Sequence, residues 1–308
     1  MAATIPSEKT FSSYNAEQGK TYASVRPDYH PKVYQHIVDH HKSTGGQLDT
    51  LIDVGCGPGV AARALAPHFS HVFGLDPSEG MIATARSTGG ETGSAEPIRF
   101  EVSTAESLGQ HLSPPVPDAA VDLITAANAA HWFDMPGFYA AAARVLKPGG
   151  SIALWGTGEV RVHPSMPAAD AIQSVLDDML DSIEEYRTPG NRLVRGRYLD
   201  LPLPWTLEQP IGVFGRDAFY RKDYTVDEDF IQLPSEVGLD FFEKVLASGS
   251  AQVRWRQANP DKAGTEEDIV RVTRRKVEKL LHEAGVERGK ETLKGALRGF
   301  LLVIKKTS

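Results

Sequence analysis

A doubly wound α/β fold with a mostly parallel sheet is the architecture the sequence predicts, and three observations predict it. Short apolar runs alternate with helix-capable segments from residue 51 to residue 155. The first run, Leu51-Ile52-Asp53-Val54, breaks into Gly55-Cys56-Gly57-Pro58-Gly59 and passes at once into Val60–Ala66. That pattern reads as a strand, a tight turn and a helix whose N-terminus faces a ligand. The second run, His71–Asp76, ends in an acid, the position from which a carboxylate reaches both hydroxyls of a ribose. Five such strands, joined by right-handed crossovers, force a parallel sheet covered on both faces.

Each element has its own local signal. Pro31–His41 reads as a helix, with Pro31 in its first turn and Val33, Ile37 and Val38 on the buried side. After Asp76, Ser78 is placed to cap a helix with Met81, Ile82 and Ala85 inward. Ser87–Pro97 is a Gly/Ser/Thr-rich loop, Ile98–Val102 a third strand and Val121–Ala126 a fourth. The loop Asn128–Asp134 then lies at a strand's carboxyl end, where ligands of such sheets gather. Met135–Val145 is an amphipathic helix stopped by Lys147-Pro148-Gly149-Gly150, and Ser151–Trp155 is the fifth strand.

Beyond Trp155 the alternation lapses. Residues 157–240 are rich in prolines and aromatics, among them Tyr186, Tyr198, Trp205, Phe214, Phe219 and Tyr220. They predict a cap inserted after the fifth strand, walling a substrate cavity. Phe241–Ala247 is helical again. Thr265-Glu266-Glu267-Asp268 opens a helix with Ile269, Val272, Leu280, Leu281 and Ala284 on its inner face and Gly285 at its end. Leu297–Lys305 reads as a last strand.

Composition narrows the function. The formal charge of −7, from 33 basic and 40 acidic residues, argues against a nucleic-acid surface. No apolar run approaches the ~20 residues of a membrane span. Met1–Pro6 lacks the pattern of a secretion signal, and a lone Cys56 suits a reducing compartment, so a cytoplasmic protein is expected. Neither zinc-type Cys/His spacing nor a phosphate-binding lysine loop occurs, so no metal site is expected.

The glycine spacing selects the ligand. A dinucleotide fingerprint requires G-x-G-x-x-G, and here Val60 occupies the third glycine's slot. An acid two residues before the first glycine disfavours a pyrophosphate and suits a cationic ligand with an amino group, which describes S-adenosylmethionine. Asp53-Val54-Gly55-Cys56-Gly57-Pro58-Gly59 resembles motif I of the class I S-adenosylmethionine-dependent methyltransferases. Arg26-Pro27-Asp28-Tyr29 and Ala130-His131-Trp132-Phe133-Asp134 resemble the small-molecule enzymes related to trans-aconitate methyltransferase. The resemblance is strong from about Tyr14 to Trp155 and weak beyond; a Trp-Ser-aromatic element usual near Ser248-Gly249-Ser250 is missing.

The resemblance implies a seven-stranded Rossmann-like sheet with an antiparallel last strand at its edge. It implies an N-terminal lid (residues 1–30), a cofactor-binding core (31–156), a cap (157–245) and C-terminal helices with the edge strand completing the core (246–308). Tyr22 and Arg26 would close over the cofactor, Arg26 pairing with the methionine carboxylate. Asp53, Gly55, Gly57 and Gly59 would form the turn beneath it and Asp76 would hold its ribose. Met81, Ala105, Glu106 and Asn128 would complete the cofactor site, with Ala105 and Glu106 near the adenine. Tyr14, Trp132 and Trp155 would line the substrate pocket.

Methyl transfer from a sulfonium needs little beyond proximity and orientation. A carboxylate acceptor needs no base; a thiol, amine or phenol may require one, and His131 is the candidate, as base or as positioner. The four arginines of Arg187–Arg197 are either a solvated face or a recognition site for a substrate carboxylate. The expectation is a methyltransferase acting on a small molecule, with a carboxylate preferred. S-, N- or phenolic O-methylation and a binding protein without transfer stay open. A nicotinamide dehydrogenase is disfavoured by the glycine spacing and Asp53. No nucleic acid, membrane or obligate protein partner is implied.

Overall fold

The strand that carries Asp53, β1 (Thr50–Val54), lies near the middle of the sheet and is buried along its whole length. In the structure, a computed structural model, the described residues are 11, 14–15, 17–19, 21, 28–158, 161–232 and 236–307. Tyr22 and Arg26, and with them the expected closing contacts of the lid, lie outside them.

Helix α1 (Pro31–Ser43) precedes β1; α2 (Val60–Leu65), β2 (His71–Asp76), α3 (Glu79–Thr88), β3 (Arg99–Val102) and β4 (Val121–Ala127) follow. Then come α4 (Met135–Val145) and β5 (Leu146–Thr157). The cap region holds β6 (Arg161–Val162), α5 (Ala169–Ser182), α6 (Pro189–Arg195), β7 (Tyr220–Asp223), β8 (Val237–Gly238) and α7 (Leu239–Ala247). The chain continues through α8 (Ser250–Ala258), α9 (Ile269–Glu283), β9 (Thr292–Leu293) and β10 (Gly295–Ala296) to β11 (Gly299–Lys305).

The main sheet has seven strands in the order β3-β2-β1-β4-β5-β11-β7. β1 to β5 run parallel and β11 is antiparallel to both its neighbours. The strand order reverses between β1 and β4, and ligands of doubly wound sheets bind at that switch point. One face packs on α4 through Phe138, Tyr139 and Val145, the other on α1 to α3 through Val33, Ile37, Leu65 and Ile82.

Three expectations change. The last strand is antiparallel but not an edge: β7, from within the cap region, pairs outside it, from Phe300↔Asp223 to Val303↔Tyr220. β11 is buried at every position, as a strand flanked on both sides must be. Second, α9 does not complete the sheet domain. It joins α5 and α7 in a separate small core of Ile172, Leu176, Leu239, Phe242, Val277 and Leu281. The cap is therefore assembled from two stretches of chain, and residues between them return to the main core through Leu201 and Phe214. Third, the buried stripe of α9 is Val270, Thr273, Val277 and Leu281. Its start is set by Asp268, whose carboxylate accepts from Val270 N at 2.9 Å and pairs with Arg256 at 2.8 Å, so the inward face is rotated from the one expected. Among the described residues no helix is long and apolar enough to cross a membrane.

Candidate active site

The turn after β1 holds three glycines in left-handed backbone, with φ of +64° at Gly55, +54° at Gly57 and +84° at Gly59. The surroundings separate their roles. A Cβ on Gly55 would stand 2.6 Å from Ala129 Cβ, and one on Gly59 would stand 2.6 Å from the Phe100 ring. A Cβ on Gly57 would meet no atom within 4 Å among the described residues beyond its chain neighbours. Gly55 and Gly59 are thus required by the packing around the turn, whereas Gly57 borders open cavity.

Asp76 ties this turn to the end of β2. Its Oδ2 accepts from Gly57 N and its Oδ1 from Ser78 N, each at 2.9 Å. Burial pushes its carboxyl up to about 6, and the two amides limit the rise by favouring the charged form. Both oxygens keep lone-pair capacity, and the carboxylate lines the cavity.

Asp53 sits one layer back. It is wholly buried, takes a 2.8 Å hydrogen bond from Thr125 Oγ1 on β4 and is not among the cavity-lining residues. Desolvation pushes its carboxyl up to about 7, against the pull of the Thr125 hydroxyl. Its Oδ2 has no hydrogen bond among the described residues. The expectation of an acid placed against the ligand is therefore corrected: the β1–β4 register, Asp53↔Thr125, turns it toward the neighbouring strand.

The cavity has a volume of about 960 Å³ and extends from the glycine turn into the cap. Of the expected cofactor residues, Gly55, Gly57, Asp76, Met81, Ala105, Glu106 and Asn128 line it; Gly59 does not, since it begins α2 behind the turn. Glu106 Oε1 also accepts from Asp134 N at 2.9 Å, so it holds the next loop in place. Asn128 is left-handed at φ +51°, a conformation asparagine tolerates, and its buried Oδ1 has no partner among the described residues.

Of the expected substrate residues Trp132 lines the cavity. Trp155 does not: it is fully buried on the α1 side of β5, its ring edge-on to Tyr29 at 5.7 Å and Tyr34 at 6.2 Å. Strand alternation points it away from the ligand side. Tyr14 is also off the cavity wall; its carbonyl faces Ser78 Oγ at 3.4 Å, while Phe11 reaches the cavity and the Trp132 ring at 6.3 Å.

His131 is buried and lines the cavity, with its Nδ1 2.6 Å from the Tyr198 hydroxyl. The turn His131-Trp132 is clamped by α6, where a Cβ on Gly190 would stand 2.5 Å from His131 O. Among the four arginines, Arg187 and Arg195 line the cavity, Arg192 binds Glu184 at 2.9 Å on the outside and Arg197 pairs with Asp223 at 3.2 Å. Sequence reasoning missed the polar cluster opposite. Asn191 Nδ2 donates to Ser250 Oγ at 2.8 Å, and Arg254 donates to Asn191 Oδ1 at 2.6 Å. The partners come from α6 and α8, and no local signal links segments so far apart.

The arrangement fits a nucleoside-bearing ligand: an open backbone cradle at Gly57, a carboxylate for a diol at Asp76, and an orphaned oxygen on Asn128. A methyltransferase-domain family model matches residues 52–154. A Dictyostelium discoideum protein described as a methyltransferase is 30% identical over 201 residues, covering 65% of this chain and 70% of its own. A Saccharomyces cerevisiae protein described as an S-adenosylmethionine-dependent methyltransferase is 25% identical over 249 residues, 78% of this chain and 81% of its own. A solved Anaeromyxobacter dehalogenans chain, described as a type II methyltransferase, shares the fold with a TM-score of 0.56 at 24% identity, covering 91% of this chain and 96% of that one. The glycine turn, the switch-point cavity and these relatives together place the chain in the class I S-adenosylmethionine-dependent methyltransferases.

Proposed function

We propose that the protein methylates a carboxylate oxygen of a small-molecule acceptor. The observation that carries the reading is Arg187, a guanidinium with only 5% of its side chain exposed that lines the cap end of the cavity. Glu184 lies 3.4 Å from the guanidinium, and a guanidinium matches a carboxylate in two-point geometry. Leu176, Met179 and Phe242 supply an apolar wall nearby, suited to the carbon skeleton of a metabolite.

S-adenosylmethionine, when bound, supplies a methyl group on a sulfonium, a leaving group that needs no acid. The Gly57 backbone would hold it together with Asp76 at the ribose hydroxyls, Ala105 and Glu106 near the adenine, and Met81 beside them. The cap's part is to orient the acceptor and exclude water, since alignment supplies much of the acceleration. A carboxylate acceptor is already anionic, so no side chain must remove a proton. The reading carries a cytoplasmic location and no nucleic-acid partner, supported by the lone buried Cys56 and the net charge of −7.

Labelled cofactor offered with panels of carboxylates, thiols, amines and phenols tests the acceptor. A base-labile methyl ester formed from a carboxylate is expected. Transfer only to a thiol, amine or phenol would overturn the reading.

Asp76→Ala is expected to weaken the cofactor by about 1.5–3 kcal/mol, the range for hydrogen bonds to a charged group. An analogue lacking both ribose hydroxyls should lose far less, and titration calorimetry compares the two. Equal losses would remove Asp76 from the ribose site.

A further inference from the structure

We propose that Tyr198 holds the His131 imidazole in its Nε2–H tautomer, so that His131 donates a hydrogen bond to the acceptor and does not act as a base toward it. A phenol oxygen has a single proton and two lone pairs. Tyr198 is only 2% exposed. Its oxygen accepts from His131 N at 3.2 Å. A backbone amide only donates, so this contact occupies one lone pair. The phenol proton is then left for His131 Nδ1, 2.6 Å away. Nδ1 accepts, carries no hydrogen, and the neutral ring bears its proton on Nε2. The reverse arrangement would bury the phenol proton with no acceptor among the described residues. Burial raises the phenol's pKa well beyond its ordinary value, so the oxygen stays a hydroxyl.

The backbone around Tyr198 supports a dedicated role. Arg197 and Tyr198 are consecutive non-glycine residues in the left-handed region, at φ +52° and +57°. Such strain persists only where surrounding contacts over-determine it, and it gathers at functional sites. Here Tyr198 N donates to Leu193 O at 2.9 Å, Arg197 N to Val194 O at 2.8 Å, and Arg221 Nη2 to Arg197 O at 2.9 Å. Phe300 on β11 meets the ring edge at 4.7 Å. These contacts drive the hydroxyl under the His131 turn.

The tautomer suits a carboxylate acceptor, and this half of the inference rests on the function proposed above. Nε2–H holds one acceptor oxygen while a lone pair on the other forms the new C–O bond. The methyl–sulfur bond breaks with its electron pair going to sulfur, giving a methyl ester and a neutral thioether with no proton transferred. Tyr198 is the positioning residue, and His131 is the group that touches the acceptor.

Nitrogen-15 histidine NMR on the cofactor-free protein tests the tautomer, with the His131 signals assigned by their loss in His131→Gln. An unprotonated Nδ1 and a protonated Nε2 at neutral pH are expected, with mixing of tautomers in Tyr198→Phe. An Nδ1–H tautomer in the unsubstituted protein would overturn the assignment. Kinetics test the role. A glutamine amide reaches the position of Nε2 and an asparagine amide that of Nδ1. His131→Gln should retain turnover within roughly 10-fold, while His131→Asn and His131→Ala lose more. Glutamine as inactive as alanine, with loss of a pH–rate limb near neutrality, would show a base and overturn the donor role. The NMR result does not depend on the acceptor, so failure of the tautomer and failure of the carboxylate reading are distinguishable.

Discussion

Gly57→Val is expected to abolish binding of S-adenosylmethionine while leaving the sheet folded. The two effects separate because of what surrounds the position. At φ +54° a branched residue is strained, at a cost of about 1–3 kcal/mol. That cost lowers the melting temperature by several degrees and is far from unfolding a sheet of this size. Among the described residues no atom outside its chain neighbours lies within 4 Å of the added Cβ, so the sheet and its helices meet no clash. The isopropyl group instead projects where the turn borders the cavity, beside the amide that Asp76 holds. Gly59→Val makes the contrast, since its Cβ would enter the Phe100 ring at 2.6 Å and damage the core. Gly57→Ala grades the effect, with most of the backbone strain and a single methyl group. Calorimetry of cofactor binding beside thermal unfolding checks the pair. Native affinity in Gly57→Val would mean that the ligand does not approach this turn.

The parts of this architecture that were legible in the sequence are those encoded within a few residues. β1, its glycine turn and α2 form one contiguous signal, and the acid ending β2 follows from strand length. Residues at strand ends were legible for the same reason: Gly57, Asp76, Asn128, His131 and Trp132 all line the cavity. What was lost depends on partners far along the chain. β7, Tyr220-Arg221-Lys222-Asp223, is short and polar and becomes a strand by pairing its backbone with β11. Trp155 has the composition of a pocket residue, but its place in the alternation of β5 turns it into the core beneath α1. The face of Asp53 depends on register with β4, which no pattern local to β1 reveals. Tyr198 is one cap aromatic among several until the turn after α6 brings it under His131.

Ionisation of Asp53 is expected to lower the stability of the cofactor-free protein as the pH rises from about 4 to 8, and Asp53→Asn is expected to remove that contribution. In the folded chain the wholly buried Asp53 keeps its proton up to about 7, because burial penalises the carboxylate. In the unfolded chain the same carboxyl ionises near 4. Between those values the folded state binds the extra proton, so stability falls as pH rises. The contribution is fully present below the unfolded pKa and is lost through the folded one. Asp76, held up at about 6, acts in the same direction over a narrower window. For Asp53 the interval corresponds to a few kcal/mol as an order of magnitude. An asparagine keeps an oxygen to accept from Thr125 Oγ1 and carries no charge to desolvate. Urea denaturation at a series of pH values, without cofactor, should show the two proteins converging near pH 4–5 and the variant more stable at pH 8. A pH dependence that survives unchanged in Asp53→Asn would remove Asp53 as its source, and a parallel Asp76→Asn series tests the second buried carboxyl of the turn.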